Sequence, residues 1–190
     1  MLTPAIQVRR WTRQEYENLV AAGFFHPEER LELIDGKIIQ MTPQGSRHAT
    51  AIRLVEDALR TAFGPGFDVR VQMPLALDPD SEPEPDIAVV IGEPRDYREG
   101  HPKTAVLIVE VSDATVSYDR EEKAGLYARA GISDYWILNL IDRCLEIHRN
   151  PLPTGSQGAH YESYIVVAAS DSISPLACPE PSIEVAGLLP

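Results

Sequence analysis

Apolar positions along the chain change their spacing several times, and each change marks an element. Thr12 has Glu15 three residues on, the pairing of a capping box, and Gly23 supplies a stop, which predicts a first helix. LELIDGKIIQM follows, two β-rich arms around Asp35-Gly36, a dipeptide that favours a type I′ turn and so predicts a hairpin. From Ser46 to Gly64, Ile52, Val55, Leu59 and Ala62 keep the helical interval of a second helix. Residues 68–77 then read as a strand and 78–85 (DPDSEPEP) as a stiff acidic connector. Residues 86–91 and 104–111 are nearly all apolar, as strands covered on both faces are. A polar loop over 92–103 separates them. A third helix is expected over 119–130, closed by Gly131. DYWILNL and CLEIHR frame Ile141-Asp142-Arg143 as a second hairpin, HYESYIVVA adds a strand and SIEVAGLL a short terminal element.

This order predicts an α/β (α+β) fold, a mixed central β-sheet flanked by helices with extra β-hairpins. No internal repeat interrupts it. A chain of 190 residues suits a single domain over 1–190, with a core at about 31–140 and a C-terminal β extension over 141–190.

Composition narrows the classes. Hydrophobic residues make up 44% and charged ones 24%, values of a globular chain and not of a disordered one. The longest apolar run is strand-sized, so no membrane partner is expected. The opening MLTPAIQVRRW has no apolar segment ahead of its arginines, and a cytoplasmic location is the expectation. Cys144 and Cys178 lie far from any CxxC or His-rich tract, which argues against a disulfide framework or a zinc cage. The net charge of −12 disfavours general nucleic-acid binding. That acidity is uneven: residues 61–90 hold one base against six acids and 131–190 two against seven, while the first sixty residues are balanced. A local site for a polyanion therefore stays open.

Two carboxylates stand where acids are expensive. Asp86 opens an apolar strand directly after Pro85, and Glu110 lies near the end of another, before Val111 and Ser112. If the strands are neighbours, both acids converge at one end of the sheet, and a divalent cation such as Mg²⁺ or Mn²⁺ would relieve their repulsion. Solvation at a strand end, or pairing with an arginine, is the alternative. In the third helix Asp119, Lys123 and Tyr127 follow at intervals of four and share one face. Lys123 can reach back to the carboxylates from there, or form an exposed pair with Asp119. Lysine is scarce here, only Lys37, Lys103 and Lys123.

The ordered set LELIDG, a His in the next helix, Pro85-Asp86, Glu110-Val111-Ser112 after 24 positions, and Asp119 with Lys123 resembles the PD-(D/E)XK nuclease superfamily of restriction-endonuclease-like proteins. More closely it is similar to its Uma-two family of bacterial endonucleases, from about Leu31 to Leu138. The resemblance implies that Asp86 and Glu110 bind the metal with Glu32 as an additional acid and the Val111 backbone carbonyl as a further ligand. It also implies that Lys123 replaces the lysine usually found at the position of Ser112. His48 and Tyr127 fall at pattern positions with auxiliary or substrate roles.

The function so implied is a Mg²⁺- or Mn²⁺-dependent endonuclease that hydrolyses phosphodiester bonds, of DNA rather than RNA, as a homodimer. The strand YWIL and its hairpin are the expected edge for pairing with a second copy. The alternative, motivated by the acidity and by Ser112, is a catalytically silent nuclease-fold module that binds a protein or nucleic-acid partner. A hydrolase of small phosphoesters is a third class. Other features take plainer roles: Asp78 to Asp86 lacks the glycine of a calcium loop, Arg53 and Arg60 share a face diluted by Glu56 and Asp57, and Trp136 belongs in the core or in a subunit contact and not on a base-stacking platform.

Overall fold

The computed structural model of the protein describes residues 8–153 and 158–190. Residues 1–7, part of the opening read above for a leader, lie outside the described residues. No described helix is long and apolar enough to cross a membrane.

The first helix, α1 (Arg13–Ala21), starts at Thr12 with both halves of the capping box in place. β1 (Leu31–Ile34) and β2 (Lys37–Gln40) form the expected hairpin. Asp35 and Gly36 turn it with φ of 48° and 71°. A Cβ at residue 36 would lie 2.6 Å from the Arg10 Cβ, so the turn needs glycine for space as well as for angle. α2 (Ser46–Phe63) follows and buries Ile52, Val55 and Leu59 on one stripe.

Among the described residues six strands make the central sheet: β3 (Phe67–Val71), β4 (Ile87–Ile91), β5 (Leu107–Ser112), β6 (Asp134–Asn139), β7 (Cys144–Leu152) and β8 (His160–Ala168), in that spatial order. All neighbours are antiparallel except β5 and β6, which are parallel. A parallel pair needs a crossover, and α3 (Val116–Tyr118), a π-helical turn (Asp119–Lys123) and α4 (Ala124–Arg129) provide it. The short pair β9 (Ser172–Ile173) and β10 (Ile183–Glu184) precedes a terminal 3₁₀ turn, Val185–Leu188. β7 and β8 therefore extend the core sheet and are not an appendage to it.

Alternation along the strands sorts the side chains. Val109, Val111, Trp136 and Leu138 face α2 and the terminal turn, in one apolar cluster. Ile108, Tyr135 and Ile137 face α4 in another. Each fully buried Leu or Ile contributes about 2 kcal/mol of burial, so the two clusters hold both helical layers against the sheet. Trp136 is fully buried, as expected of a core residue.

Several boundaries differ from the sequence reading. The strand expected over 68–77 ends at Val71, because Gln72 takes φ 51° and Pro74 follows. The connector over 78–85 is not isolated: Glu82 pairs with Leu33 of β1 across two backbone hydrogen bonds. The strand YWIL is not an edge. β6 lies inside the sheet with every residue buried, because β7 covers its second side, and the outer strands are β3 and β8.

Candidate active site

Glu110 is even in the alternation of β5 and so points to the α4 side, opposite Val109 and Val111. Asp86 precedes β4 on the same side as Ala88. The antiparallel β4–β5 pairing pairs Ile87 with Val109 and thereby sets the two acids side by side. The Asp86 backbone N–H donates to Glu110 Oε2 at 3.2 Å, and the Val111 N–H donates to Asp86 Oδ2 at 2.9 Å. Both acids are buried.

Three other elements close on this pair. The crossover helix supplies Lys123, whose Nζ lies 2.9 Å from Glu110 Oε1, and Tyr127, whose hydroxyl donates to the same oxygen at 2.7 Å. The β1–β2 hairpin supplies Glu32, 3.3 Å from the Lys123 Nζ and also accepting from the Glu84 N–H at 3.2 Å. α2 supplies His48, whose Nε2 is 3.3 Å from the Asp86 carboxylate. Each of Glu32, His48, Asp86, Glu110, Lys123 and Tyr127 thus reaches one constellation. Asp119 is buried too, but its Oδ2 accepts from Thr115 at 2.8 Å, and the exposed Asp119–Lys123 pair does not form.

Burial sets the electrostatics. It pushes Glu110 up to about 8, against the pull of the Lys123 charge and helped by Asp86 nearby. Asp86 goes the other way: burial opposes its ionisation, but His48, the Val111 N–H and Lys123 outweigh it and hold the carboxyl below its usual value. Burial alone would lower Lys123, yet Glu110 and Glu32 hold its ammonium well above the ordinary range. His48 is raised in the same manner, by Asp86 against burial. Asp86 is therefore the standing anion and Lys123 the standing cation.

Glu32, His48, Asp86, Glu110 and Lys123 form the floor of a cleft of about 260 Å³. Ile39 to Gly45, the end of β2 and the loop into α2, line one wall; Thr115 and Tyr118 line another. Arg30 also lines it, and its Nη2 is buried without a hydrogen-bond partner among the described residues. Among the described residues no three His, Cys, Asp or Glu side chains already stand as a metal-binding group. The donors nonetheless suit a hard divalent ion: Glu32, Asp86, Glu110 and Val111 all border the cleft, and the acids exceed the cations there.

Gln72 is a residue of the site that the sequence did not point to. Its Nε2 donates to Asp86 Oδ1 at 3.1 Å and its N–H donates to the Asp86 carbonyl at 3.1 Å. Its place two residues before Pro74, at a strand end, is the one signal the sequence offers; a left-handed φ on a non-glycine residue marks it only in three dimensions.

A solved structure shares this arrangement of elements. It is titled a putative nuclease belonging to DUF820 from Anabaena variabilis ATCC 29413, with a TM-score of 0.67, 17% identity, and 93% of this chain and 96% of that chain covered. The two chains thus share one fold. The family described as "Putative restriction endonuclease", Uma2, matches residues 13–186, and the chain belongs to it. No curated protein matches the chain.

Proposed function

We propose that the protein is a Mg²⁺- or Mn²⁺-dependent endonuclease that hydrolyses phosphodiester bonds of DNA. The observation that carries this reading is the meeting of two neighbouring strand acids with a helix-borne lysine, 2.9 Å from one of them, at the floor of a cleft. Asp86, Glu110 and Glu32, with the Val111 carbonyl, would hold the ion. When bound it polarises the phosphoryl oxygen and lowers the pKa of a water.

The chain's own groups do the rest. Asp86 is kept ionised by His48, Gln72 and the Val111 N–H, so its charge is aimed before substrate arrives. Lys123 keeps its proton and donates an N–H to the phosphate or to the attacking water. Tyr127 donates to Glu110 and fixes that carboxylate's rotamer. Arg30 has a donor available for a second phosphate oxygen, which a cleft of net negative character needs if it is to take a polyanion.

Nicking of supercoiled plasmid in Mg²⁺ or Mn²⁺ tests the reading. Asp86→Asn keeps the side-chain shape and should abolish cleavage; a variant that nicks as well as wild type would overturn it. Turnover of p-nitrophenyl phosphate esters without plasmid nicking would instead favour small phosphoesters.

The silent-module reading also has support of its own, since both oxygens of Asp86 and of Glu110 already accept hydrogen bonds from the protein. Titration calorimetry separates the two: Mn²⁺ binding that depends on Glu110 counts against the silent module.

A further inference from the structure

Lys123 is carried on an uncommon piece of backbone, and the ion pair that holds that piece to the sheet lies outside the cleft. The turn Asp119–Lys123 is π-helical, set between α3 and α4. Such turns are rare, are mostly single, and occur frequently at functional sites. Two hydrogen bonds brace its start: Thr115 Oγ1 to Asp119 Oδ2 at 2.8 Å, and the Tyr135 hydroxyl to the Asp119 carbonyl at 3.0 Å. The strongest brace comes next. Arg120 grips Glu146 of β7 with a fork, Nε to Oε2 at 2.7 Å and Nη2 to Oε1 at 2.7 Å.

Glu146 is fully buried and satisfied on every side, accepting also from Asn139 Nδ2 at 2.8 Å and from the Tyr164 hydroxyl at 3.1 Å. It does not border the cleft. Arg120 itself is exposed, and an ion pair open to water on one side is a poor source of net stability, because solvent screens the attraction. What a bidentate fork does supply is direction. Arg120 leaves the turn toward β7, and Lys123, three residues on, leaves it toward β5 and β1.

We propose that Arg120 and Glu146 are positioning residues for Lys123: their fork pins the π-helical turn to β7 and so fixes the reach of the lysine ammonium into the acid pair. The proposal rests on the reading of Lys123 as the site's working cation, and its test is arranged to fail separately from that reading.

The test uses metal-free, ¹⁵N-labelled full-length protein. The chain has three lysines, and Lys37 and Lys103 are exposed while Lys123 is buried. Ammonium protons on exposed lysines exchange with water too fast to be seen near neutral pH, so one Nζ–Hζ signal is expected, from Lys123. Arg120→Ala and Glu146→Gln should lose or shift that signal while the Trp136 indole N–H signal stays in place. In Mn²⁺ the same variants should nick plasmid with kcat down about 10- to 100-fold and KM little changed, the pattern of a misaimed group. Arg120→Lys keeps the charge without the fork and should recover part of both.

An unchanged Lys123 signal and unchanged kcat in Arg120→Ala and Glu146→Gln overturn the proposal. If Arg120→Ala fails to fold, Arg120→Lys decides alone, and wild-type signal and rate there overturn it as well. Separately, a Lys123→Ala protein that nicks as fast as wild type removes the reading of Lys123, whatever the signals of the other variants.

Discussion

Five of the buried acids in this molecule meet the cost of burial in four ways. Glu146 has an arginine fork, Asp86 has a histidine with two N–H donors, and Glu110 shares a lysine with Glu32. Glu82 is the least provided for. It is 5% exposed, its Oε2 has no hydrogen-bond partner among the described residues, and the Arg13 guanidinium is 3.9 Å away, engaged at 2.6 Å with Glu17. Burial, then the neighbouring Glu17, push its carboxyl up to about 7, with Glu84 adding and Arg13 opposing. A carboxyl whose folded value lies above its unfolded one binds more protons when folded. Its contribution to stability is therefore whole below about pH 4.5 and is lost as pH rises toward 7. Urea midpoints measured from about pH 5 to about pH 7.5 should fall across that window in wild type and fall less in Glu82→Gln. Equal slopes in the two proteins would show that Glu82 is not the titrating group.

At the scale of elements, what could be read from the sequence is what local chemistry determines. Thr12 with Glu15 fixed the start of α1, Asp35-Gly36 fixed the hairpin, and the apolar runs before Ile91 and Ser112 fixed two central strands. The PD strand and the E-V-S strand can be neighbours on their apolar character alone, and the β4–β5 register makes them so. The interval of four from Asp119 to Tyr127 puts the three side chains on one face, which the structure buries, yet it does not reveal the π turn that carries them. That turn depends on contacts from β6 and β7, far along the chain, and no local spacing encodes them. The same limit hid Gln72: its conformation depends on where the connector returns to the sheet. Strand order failed locally too. YWIL reads as an edge beside a hairpin, but β8 pairs with the far side of β7 and β5 with the near side of β6.

The whole molecule is acidic, and three exposed large apolar side chains stand consecutively on one outer strand. β8 leaves Tyr164, Ile165 and Val166 about half exposed, on a nine-residue edge without lysine or proline, the residues that usually protect such edges. If the protein is a homodimer, as nuclease chemistry on two strands would favour, β8 is the edge for it in place of β6. Light scattering should then report about twice 21 kDa, and Ile165→Lys should return the monomer mass. A 21 kDa species in wild type would remove the dimer.

Glu32, Asp86, Glu110 and Lys123 are proposed to serve one divalent ion, and anomalous diffraction from crystals soaked in Mn²⁺ would locate it. One dominant peak is expected within ligand distance of Asp86 and Glu110, with the Lys123 ammonium displaced from Glu110, and no such peak in Asp86→Asn. A map with no Mn²⁺ at those two carboxylates, or with its ions only among the surface acids, would contradict it.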